Sequence, residues 1–300
     1  STSCWWSSPA VKELNLNGEH NDPSIMRARI AWELAQDAGM AAPRVNHVRL
    51  FMNGQAYGLY ANIEHLNDDY VEHRFARDAG NLYKCLWPAD LANLGTDPNS
   101  YKLMSGGRQV YELKTNETLD DYSGLARFVT ALHATTSTQA LCALDSVFNV
   151  NSYLKWLAWE VTTGHWDNHS FNKNNFYLYE DPASGLMEFI SYDADNTFGI
   201  DWFNIDWATR SPFQFGTYPL YTKILTNPAA QRRLKLFLNE FGTLAGSAAR
   251  RNRNEALRAQ LAPFVEEDVY RTYDYGYDSL NFWNALDVAA GAHVKSGIHP

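Results

Sequence analysis

The chain has 300 residues, 45% of them hydrophobic, and a formal net charge of −9. Such a chain can bury a sizeable core as one large domain or two lobes. Its negative charge argues against a general nucleic-acid binder, whose affinity comes from neutralising phosphates. No apolar run reaches the roughly 20 residues that a membrane-spanning helix needs, and no signal peptide begins the chain. The first residue is Ser1 rather than Met, as in a processed protein or an excised domain, and three cysteines are too few for a disulfide framework.

The N-terminal part contains one predicted helix after an irregular lead-in of about 20 residues. Asp22-Pro23 is typical of a helix N-cap followed by Pro at the first helical position, and apolar residues at helical spacing continue until Gly39. Arg27 and Arg29 fall in its first turns, where a cation opposes the helix dipole. We expect them to be surface charges, with an ion-pair or phosphate-binding role as the alternative.

A hairpin and a series of shorter elements follow. Apolar residues alternate from Val45 to Ile63 on both sides of Asn53-Gly54, which predicts two antiparallel strands joined by a type I′ turn. Composition and periodicity then predict a helix over 67–78, a strand over 81–85, a strand over 111–114, and helices over 120–133 and 150–163. The stretch 88–107 is rich in Gly, Asn, Asp, Ser and Pro, so we place a lobe boundary within 88–120.

The C-terminal third is predicted to be mostly helical. No clear period follows Gly199 as far as Trp207, and helices are then expected over 228–248, 254–262 and 279–293. The predicted fold class is therefore α+β, one domain over 1–300, with a β-containing N-terminal part and a mostly helical C-terminal part.

Between these parts lies an acidic hairpin over residues 165–199. Strands are predicted over 175–179 and 187–191, joined by a turn over 181–185. Antiparallel pairing about Ala183 sets Asn172 roughly opposite Ala194. Asp193 and Asp195 then come close to Asn172 and, through the preceding loop, to Asp167.

Four oxygen-bearing side chains at one point favour a divalent cation. Carboxylate and amide oxygens suit Mg²⁺, Ca²⁺ or Mn²⁺ and suit zinc poorly. The spacing His165-x-Asp167-x-x-x-x-Asn172 matches the protein-kinase catalytic loop, and Asp193 stands where the kinase D-F-G holds its metal, with Asp195 beside it.

The chain resembles a known family, the spore-coat CotH-type atypical kinases, in blocks that together cover roughly residues 20 to 200. The blocks, in order, are Asp22-Pro23-Ser24-Ile25-Met26-Arg27, then Val48 to Tyr60 with Glu64, Asn81-Leu82-Tyr83-Lys84, Tyr111-Glu112-Leu113-Lys114-Thr115, Trp166-Asp167 with Asn172, Asn175 and Tyr177, Tyr192-Asp193-Ala194-Asp195, and Thr197-Phe198-Gly199.

The resemblance implies a divergent, two-lobed protein-kinase-like fold that binds ATP with Mg²⁺ and phosphorylates Ser or Thr of secreted or surface proteins. It implies Asp167 as the catalytic-loop residue. It also implies that metal is held by Asn172 and Asp193, with Asp195 close by. It makes Lys84, Lys114 and Glu64 the candidates for phosphate contacts and an ion-pair partner at the nucleotide site, and it does not determine which lysine has which role. We expect a secreted or surface location, ATP and a protein substrate as partners, and no partner among nucleic acids.

Two features depart from the family pattern. The chain has no G-x-G-x-x-G loop; Ser105-Gly106-Gly107 is too short to count. The family also carries a basic, β-rich stretch before the helix of Arg27, so we expect a trimmed domain or a reduced member of the family.

Other interpretations of the same residues remain open. Asp167 and Asp193 could be the acid and base of a glycoside hydrolase, with aromatic side chains stacking on sugars. A non-catalytic coat or adhesin module could use the acidic cluster to hold a structural Ca²⁺. In the simplest alternative the acidic residues only cap loops and turns, and the two lysines are strand-edge charges. For His165 and His169 we expect a packing role.

Overall fold

A computed structural model describes residues 13–134, 140–207, 209–213 and 216–299. Within these ranges it contains both helices and antiparallel sheets, which confirms the α+β class. The strands are β1 (Asn15–Asn17), β2 (Val45–Met52), β3 (Gln55–Ile63), β4 (Leu82–Cys85), β5 (Met104–Ser105), β6 (Arg108–Gln109), β7 (Tyr111–Leu113), β8 (Phe176–Glu180) and β9 (Met187–Ser191). The helices are α1 (Arg27–Asp37), α2 (Asp68–Arg74), α3 (Ser123–Ala134), α4 (Ala140–Leu144), α5 (Val150–Thr163), α6 (Pro219–Ile224), α7 (Pro228–Ala245), α8 (Ala248–Glu267) and α9 (Ser279–Asn284).

The N-terminal sheet has the strand order β1-β3-β2. Asn53 and Gly54 have φ angles of 51° and 79°, and a type I′ turn requires positive φ at both central residues. The predicted hairpin is therefore confirmed. Strand β1 was not predicted: it lies in the lead-in expected to be irregular, of which residues 1–12 fall outside the described residues.

The acidic hairpin belongs to a second antiparallel sheet with the order β7-β4-β8-β9. Its register runs from Phe176 opposite Ser191 to Glu180 opposite Met187. The centre of the turn therefore lies between Ala183 and Ser184. The predicted hairpin is confirmed, with its pairing shifted by one residue. Strand β4, which precedes the long loop, pairs with β8 of the hairpin that follows the loop. The two-lobed arrangement and the lobe boundary within 88–120 stay predictions.

Helix α5 is the central element of the core. It packs against α7 on one side and β9 on another, and its boundaries match the predicted 150–163. Trp156 and Trp159 on α5 are buried together with Trp32 of α1, and the Trp32 and Trp159 rings stack with centroids 4.9 Å apart. These aromatic residues thus stabilise the core by burying large apolar area.

Helix α1 begins later than predicted because Asp22 caps it from outside. The Asp22 carboxylate accepts hydrogen bonds from the backbone N–H groups of Ser24, Met26 and Arg27 at 2.8–2.9 Å, so the chain turns once before the helix starts. Arg27 is completely buried and paired with Asp22. The expectation of a surface charge at Arg27 was therefore wrong, whereas Arg29 pairs with Glu33 at 2.8 Å near the surface.

The C-terminal helices differ from the predicted ones in length. Helix α8 is longer at both ends than 254–262, and α9 is much shorter than 279–293. Beyond Asn284 the chain bends back, and the His293 carbonyl accepts a hydrogen bond from the Asp201 backbone at 2.7 Å. The predicted helix therefore does not continue over 285–293, where the chain pairs with the segment after the acidic hairpin instead. No helix of the described residues combines the length and apolar character needed to cross a bilayer.

Candidate functional site

The loop that carries Asp167 leaves directly from the C-terminal end of α5. Gly164 ends the helix in the left-handed conformation, with φ of 65°, which glycine adopts without a Cβ penalty. The His165 backbone N–H still donates to the Glu160 carbonyl at 2.8 Å. The direction in which the loop starts is therefore set by the helix.

A buried polar network below the loop is centred on Glu160, which is 1% exposed. Its carboxylate accepts hydrogen bonds from Ser191 Oγ at 2.8 Å and Asn168 Nδ2 at 3.0 Å. His169 Nδ1 lies 3.2 Å from the same carboxylate. Because these residues come from α5, β9 and the loop, the network fixes the loop against the hairpin.

The two buried histidines of the loop have structural partners. His165 Nε2 lies 3.1 Å from the Tyr192 carbonyl oxygen, and His169 Nε2 lies 3.2 Å from the Tyr153 hydroxyl. Burial lowers the pKa of His165, although the nearby Glu160 carboxylate opposes that shift. Both histidines pack within the loop, as expected.

Asp167 and Asn172 are in direct contact. Asn172 Nδ2 donates to Asp167 Oδ1 at 2.5 Å, and Asn175 Nδ2 donates to the Asp167 backbone carbonyl at 3.0 Å. One carboxylate oxygen of Asp167 is thus occupied by the amide. The side chain is half-buried and held in one orientation.

Asp193 and Asp195 follow β9 on a tight turn in which Asp193 has a φ of 57°. Burial, reinforced by the negative charge of Asp167, raises the pKa of Asp193 to about 6. Burial and the charges of Asp193 and Asp167 raise the pKa of Asp195 well above its usual range. The three carboxylates therefore share one electrostatic environment, in which a cation would be stabilised.

The carboxylates of this cluster are nevertheless more widely spaced than the ligands of a closed metal site. Within the described ranges, the trio whose ligand atoms all lie within 4.8 Å of one another is Glu255, Asp287 and His299, at a different place. Those two carboxylates already form ion pairs with Arg258 and Arg251, so their charge is compensated without a metal.

Lys84 lies on β4 between Glu112 of β7 and Tyr177 of β8. Its ammonium group is 5.1 Å from the centroid of the Tyr192 ring. Burial lowers the pKa of Lys84, while the negative charges of Glu112 and Asp193 oppose that shift. The lysine is therefore central in the sheet and interacts electrostatically with Asp193, so it is not a strand-edge charge.

Lys114 and Glu64 have other partners. Lys114 Nζ lies 3.4 Å from Glu112 Oε1. Glu64 pairs with Arg44 at 2.5 Å and with Arg74 at 2.7 Å. Glu64 therefore pairs with two arginines, and its expected role at the nucleotide site stays a prediction.

Glu19 is a residue near the site that the sequence analysis missed. It follows β1 with a φ of 48° and is only 5% exposed. Its backbone lies in the lead-in segment, where no periodicity or motif marked it. Tertiary hydrogen bonds connect this segment to the acidic turn: Asn15 Nδ2 donates to the Tyr192 hydroxyl and Asn21 Nδ2 to Asn196 Oδ1, both at 3.2 Å.

A cavity of about 630 Å³ opens beside the loop, and its lining includes Trp166, Phe171, Lys173, Trp207 and Tyr218. Asp167, Asn172, Asp193 and Asp195 are not among the residues that line it. The cavity therefore adjoins the acidic cluster through the loop but does not contain it.

Comparison with known proteins identifies the family. Residues 7–288 match the family model described as CotH kinase protein. The chain belongs to the CotH kinase protein family. CotH membership, implied by the residue blocks that include the acidic hairpin, is thereby confirmed.

Relatives of this CotH chain come from bacteria and fungi. It is 26% identical over 266 residues to the inner spore coat protein H of Bacillus subtilis, covering 88% of this chain and 72% of that protein. It is 24% identical over 264 residues to invasin CotH2 of Rhizopus delemar, covering 82% of this chain and 43% of the invasin. Invasin CotH3 of the same fungus is 24% identical over 190 residues, with 60% and 30% covered. The chain thus spans less than half the length of these two invasins.

Proposed function

We propose that the chain is a metal-dependent phosphotransferase that moves the γ-phosphate of ATP to Ser or Thr of a protein. The observation that carries this proposal is the hydrogen-bonded pair of Asp167 and Asn172 beside Asp193 and Asp195. Their spacing along the chain is that of a kinase catalytic loop and metal-binding segment, and the family to which the chain belongs is named for kinase proteins.

The donor set fits a hard divalent cation. Asn172, Asp193 and Asp195 offer amide and carboxylate oxygens, the ligands that Mg²⁺ and Mn²⁺ prefer. Burial and the neighbouring carboxylates raise the pKa values of Asp193 and Asp195, so a cation bound between these groups would favour their ionised form. Asn172, Asp193 and Asp195 would hold Mg²⁺, which would supply positive charge to compensate the phosphate charge of ATP.

The side chains have distinct roles in this proposal. Asp167, oriented by Asn172 and Asn175, positions the acceptor hydroxyl and accepts its proton at the free carboxylate oxygen. Asp193 and Asn172 hold the metal. Lys84, which interacts electrostatically with Asp193, is the better placed of the two lysines to contact phosphate.

A surface location is also proposed. The relatives carry the names of a spore coat protein and of invasins, which describe proteins of the spore or cell surface. We infer that this chain likewise acts on secreted or surface proteins.

Thermal unfolding tests the nucleotide site. The wild type is melted with Mn²⁺ or Mg²⁺, with and without ATP, beside the Asp193→Asn variant. Asp181→Asn is the matched control, since Asp181 is also buried but caps the opposite end of the same hairpin. A ligand at about 100 times its Kd stabilises the folded state by about 2.7 kcal/mol.

The expected result is a metal-dependent stabilisation by ATP in the wild type and in Asp181→Asn that disappears in Asp193→Asn. Phosphate transfer to an acceptor protein should disappear in Asp167→Asn while ATP binding remains. Stabilisation by metal without any response to ATP would contradict the proposal. That outcome would instead favour a non-catalytic Ca²⁺-binding module, or a hydrolase that needs no nucleotide.

A further inference from the structure

Glu19 is a buried carboxylate without a hydrogen-bond partner. Both of its carboxylate oxygens are inaccessible to solvent and lack a donor within hydrogen-bond distance. Burial of an unpaired carboxylate is unfavourable, so such a group is protonated or compensated by a cation. Neither the family resemblance nor the catalytic-loop spacing assigns Glu19 a role.

The segment around Glu19 is attached to the acidic turn by side-chain hydrogen bonds. Asn21 Nδ2 donates to Asn196 Oδ1 at 3.2 Å, and Asn196 Nδ2 donates to Asp195 Oδ1 at 2.8 Å. Trp202 Nε1 donates to the same Asn196 oxygen at 3.1 Å. Asn196 thus connects the lead-in segment to the turn that carries Asp195.

The charges around Glu19 are mostly negative. Burial raises the pKa of Glu19 most, and the negative charges of Asp22, Asp195 and Asp193 raise it further. Among the main influences from the described residues, the positive charge of Arg27 is the one that lowers this pKa. Arg27, however, already forms an ion pair with Asp22 and donates hydrogen bonds to the carbonyls of Phe198 and Ser296. No side chain in the described part of the chain therefore donates a hydrogen bond to the Glu19 carboxylate.

We propose that Glu19 is an additional ligand of the divalent cation held by Asp193 and Asp195. This inference rests on the proposed metal-dependent function and adds to it a residue from the N-terminal segment. In this proposal the cation binds between Glu19 and Asp195, whose turn is attached to the same segment through Asn196. The metal thereby connects β1 to the acidic hairpin.

Arg271, a second neighbour of Glu19, provides a competing explanation for the unpaired carboxylate. Glu19 also lines a cavity of about 220 Å³ together with Arg271, and Nε and Nη1 of Arg271 also have no hydrogen-bond partner. A water molecule between the two side chains would hydrogen-bond to both, and their opposite charges would attract each other without a metal. The two explanations predict opposite effects of removing the Glu19 charge.

The experiment measures Mn²⁺ binding by calorimetry and by electron paramagnetic resonance, with and without ADP, on the wild type, Glu19→Gln, Asp193→Asn and Glu188→Gln. Glu188 is a matched control because it is also buried, and it accepts a hydrogen bond from Asn149 at 2.7 Å away from the acidic turn. Loss of a group that only orients a metal ligand weakens metal binding by about 10–100-fold. Loss of a direct ligand should therefore weaken Mn²⁺ binding by at least about tenfold.

The expected result is that Glu19→Gln binds Mn²⁺ at least about tenfold more weakly, while Glu188→Gln binds it like the wild type. In chelator, Glu19→Gln should melt at the same temperature as the wild type or higher, because a repulsive charge has been removed. Unchanged Mn²⁺ affinity with a lower melting temperature would overturn the inference in favour of the Arg271 contact.

The same measurements separate failure of this inference from failure of the proposed function. If Asp193→Asn abolishes Mn²⁺ binding and Glu19→Gln leaves it unchanged, the role of Glu19 is wrong and the metal site stands. If the wild type itself binds Mn²⁺ neither alone nor with ADP, both the inference and the proposed metal-dependent function are overturned.

Discussion

Arg27 is the buried cation that joins the start of α1 to the acidic turn, and its replacement tests that role. Its guanidinium pairs with Asp22 and also donates to the carbonyls of Phe198, at 3.2 Å, and Ser296, at 3.0 Å. Both side chains of the pair are 0% exposed. Arg27→Met keeps the apolar stem and removes the charge and its hydrogen bonds.

The expected loss follows from the Asp22 carboxylate that remains. Burial raises the pKa of Asp22, but Arg27 and hydrogen bonds from Ser24 and the helix backbone outweigh that effect and hold the pKa below its usual value. Removing one partner of a buried ion pair costs about 3–5 kcal/mol. Since a domain has about 5–15 kcal/mol of stability, Arg27→Met should remove about a fifth or more of it.

Urea unfolding followed by tryptophan fluorescence measures this loss. Arg29→Met is the control on the same helix: its partner Glu33 keeps a second ion pair with Arg250 at 2.7 Å, so a loss of about 0–1 kcal/mol is expected. The double variant with Asp22→Asn should recover part of the stability, because no unpaired charge remains. A cost for Arg27→Met no larger than that for Arg29→Met would refute the reasoning.

Three further predictions concern pH, packing and nucleotide binding. Burial lowers the pKa of His47 to about 4, so the folded state binds fewer protons there than the unfolded state; stability should fall by up to about 3 kcal/mol as pH drops from 6.5 towards 4. His47→Gln should flatten that part of the stability curve, and an unchanged curve would contradict the assignment. A Cβ at Gly80 would lie 2.0 Å from a backbone carbonyl oxygen, so Gly80→Ala should destabilise by at least about 1–3 kcal/mol. Gly242→Ala, in open space on α7, should stabilise by about 1 kcal/mol, and equal effects in urea unfolding would disprove this contrast. Lys84→Met should weaken ATP binding by at least about tenfold, a loss of about 1.4 kcal/mol, and Lys114→Met by less; calorimetry showing the reverse order would exchange their proposed roles.

Local sequence patterns predicted several elements well because each depends on short-range physics. The type I′ turn needs only the positive φ that Asn53 and Gly54 tolerate. The boundaries of α5 follow from its apolar spacing and from Gly164 at its end. The acidic hairpin follows from two β-prone segments around a turn, and its observed register differs from the predicted one by a single residue.

The candidate site was predictable to the extent that its residues share one stretch of sequence. Asp167 and Asn172 are five residues apart and form a direct hydrogen bond. Asp193 and Asp195 are brought near by the hairpin itself. Glu64 shows the limit, because its location after a strand could not indicate that two arginines from other segments would pair with it.

What the sequence by itself determined is the α+β class, the acidic hairpin and, through its residue blocks, the family. What only the tertiary structure decided is which distant residues surround that hairpin. Arg27 is buried where it donates to the carbonyls of Phe198 and Ser296, and the segment of Glu19 is joined to the acidic turn by the hydrogen bond from Asn21 to Asn196. Such contacts join residues more than 40 positions apart, and periodicity or spacing within one segment contains no information about them.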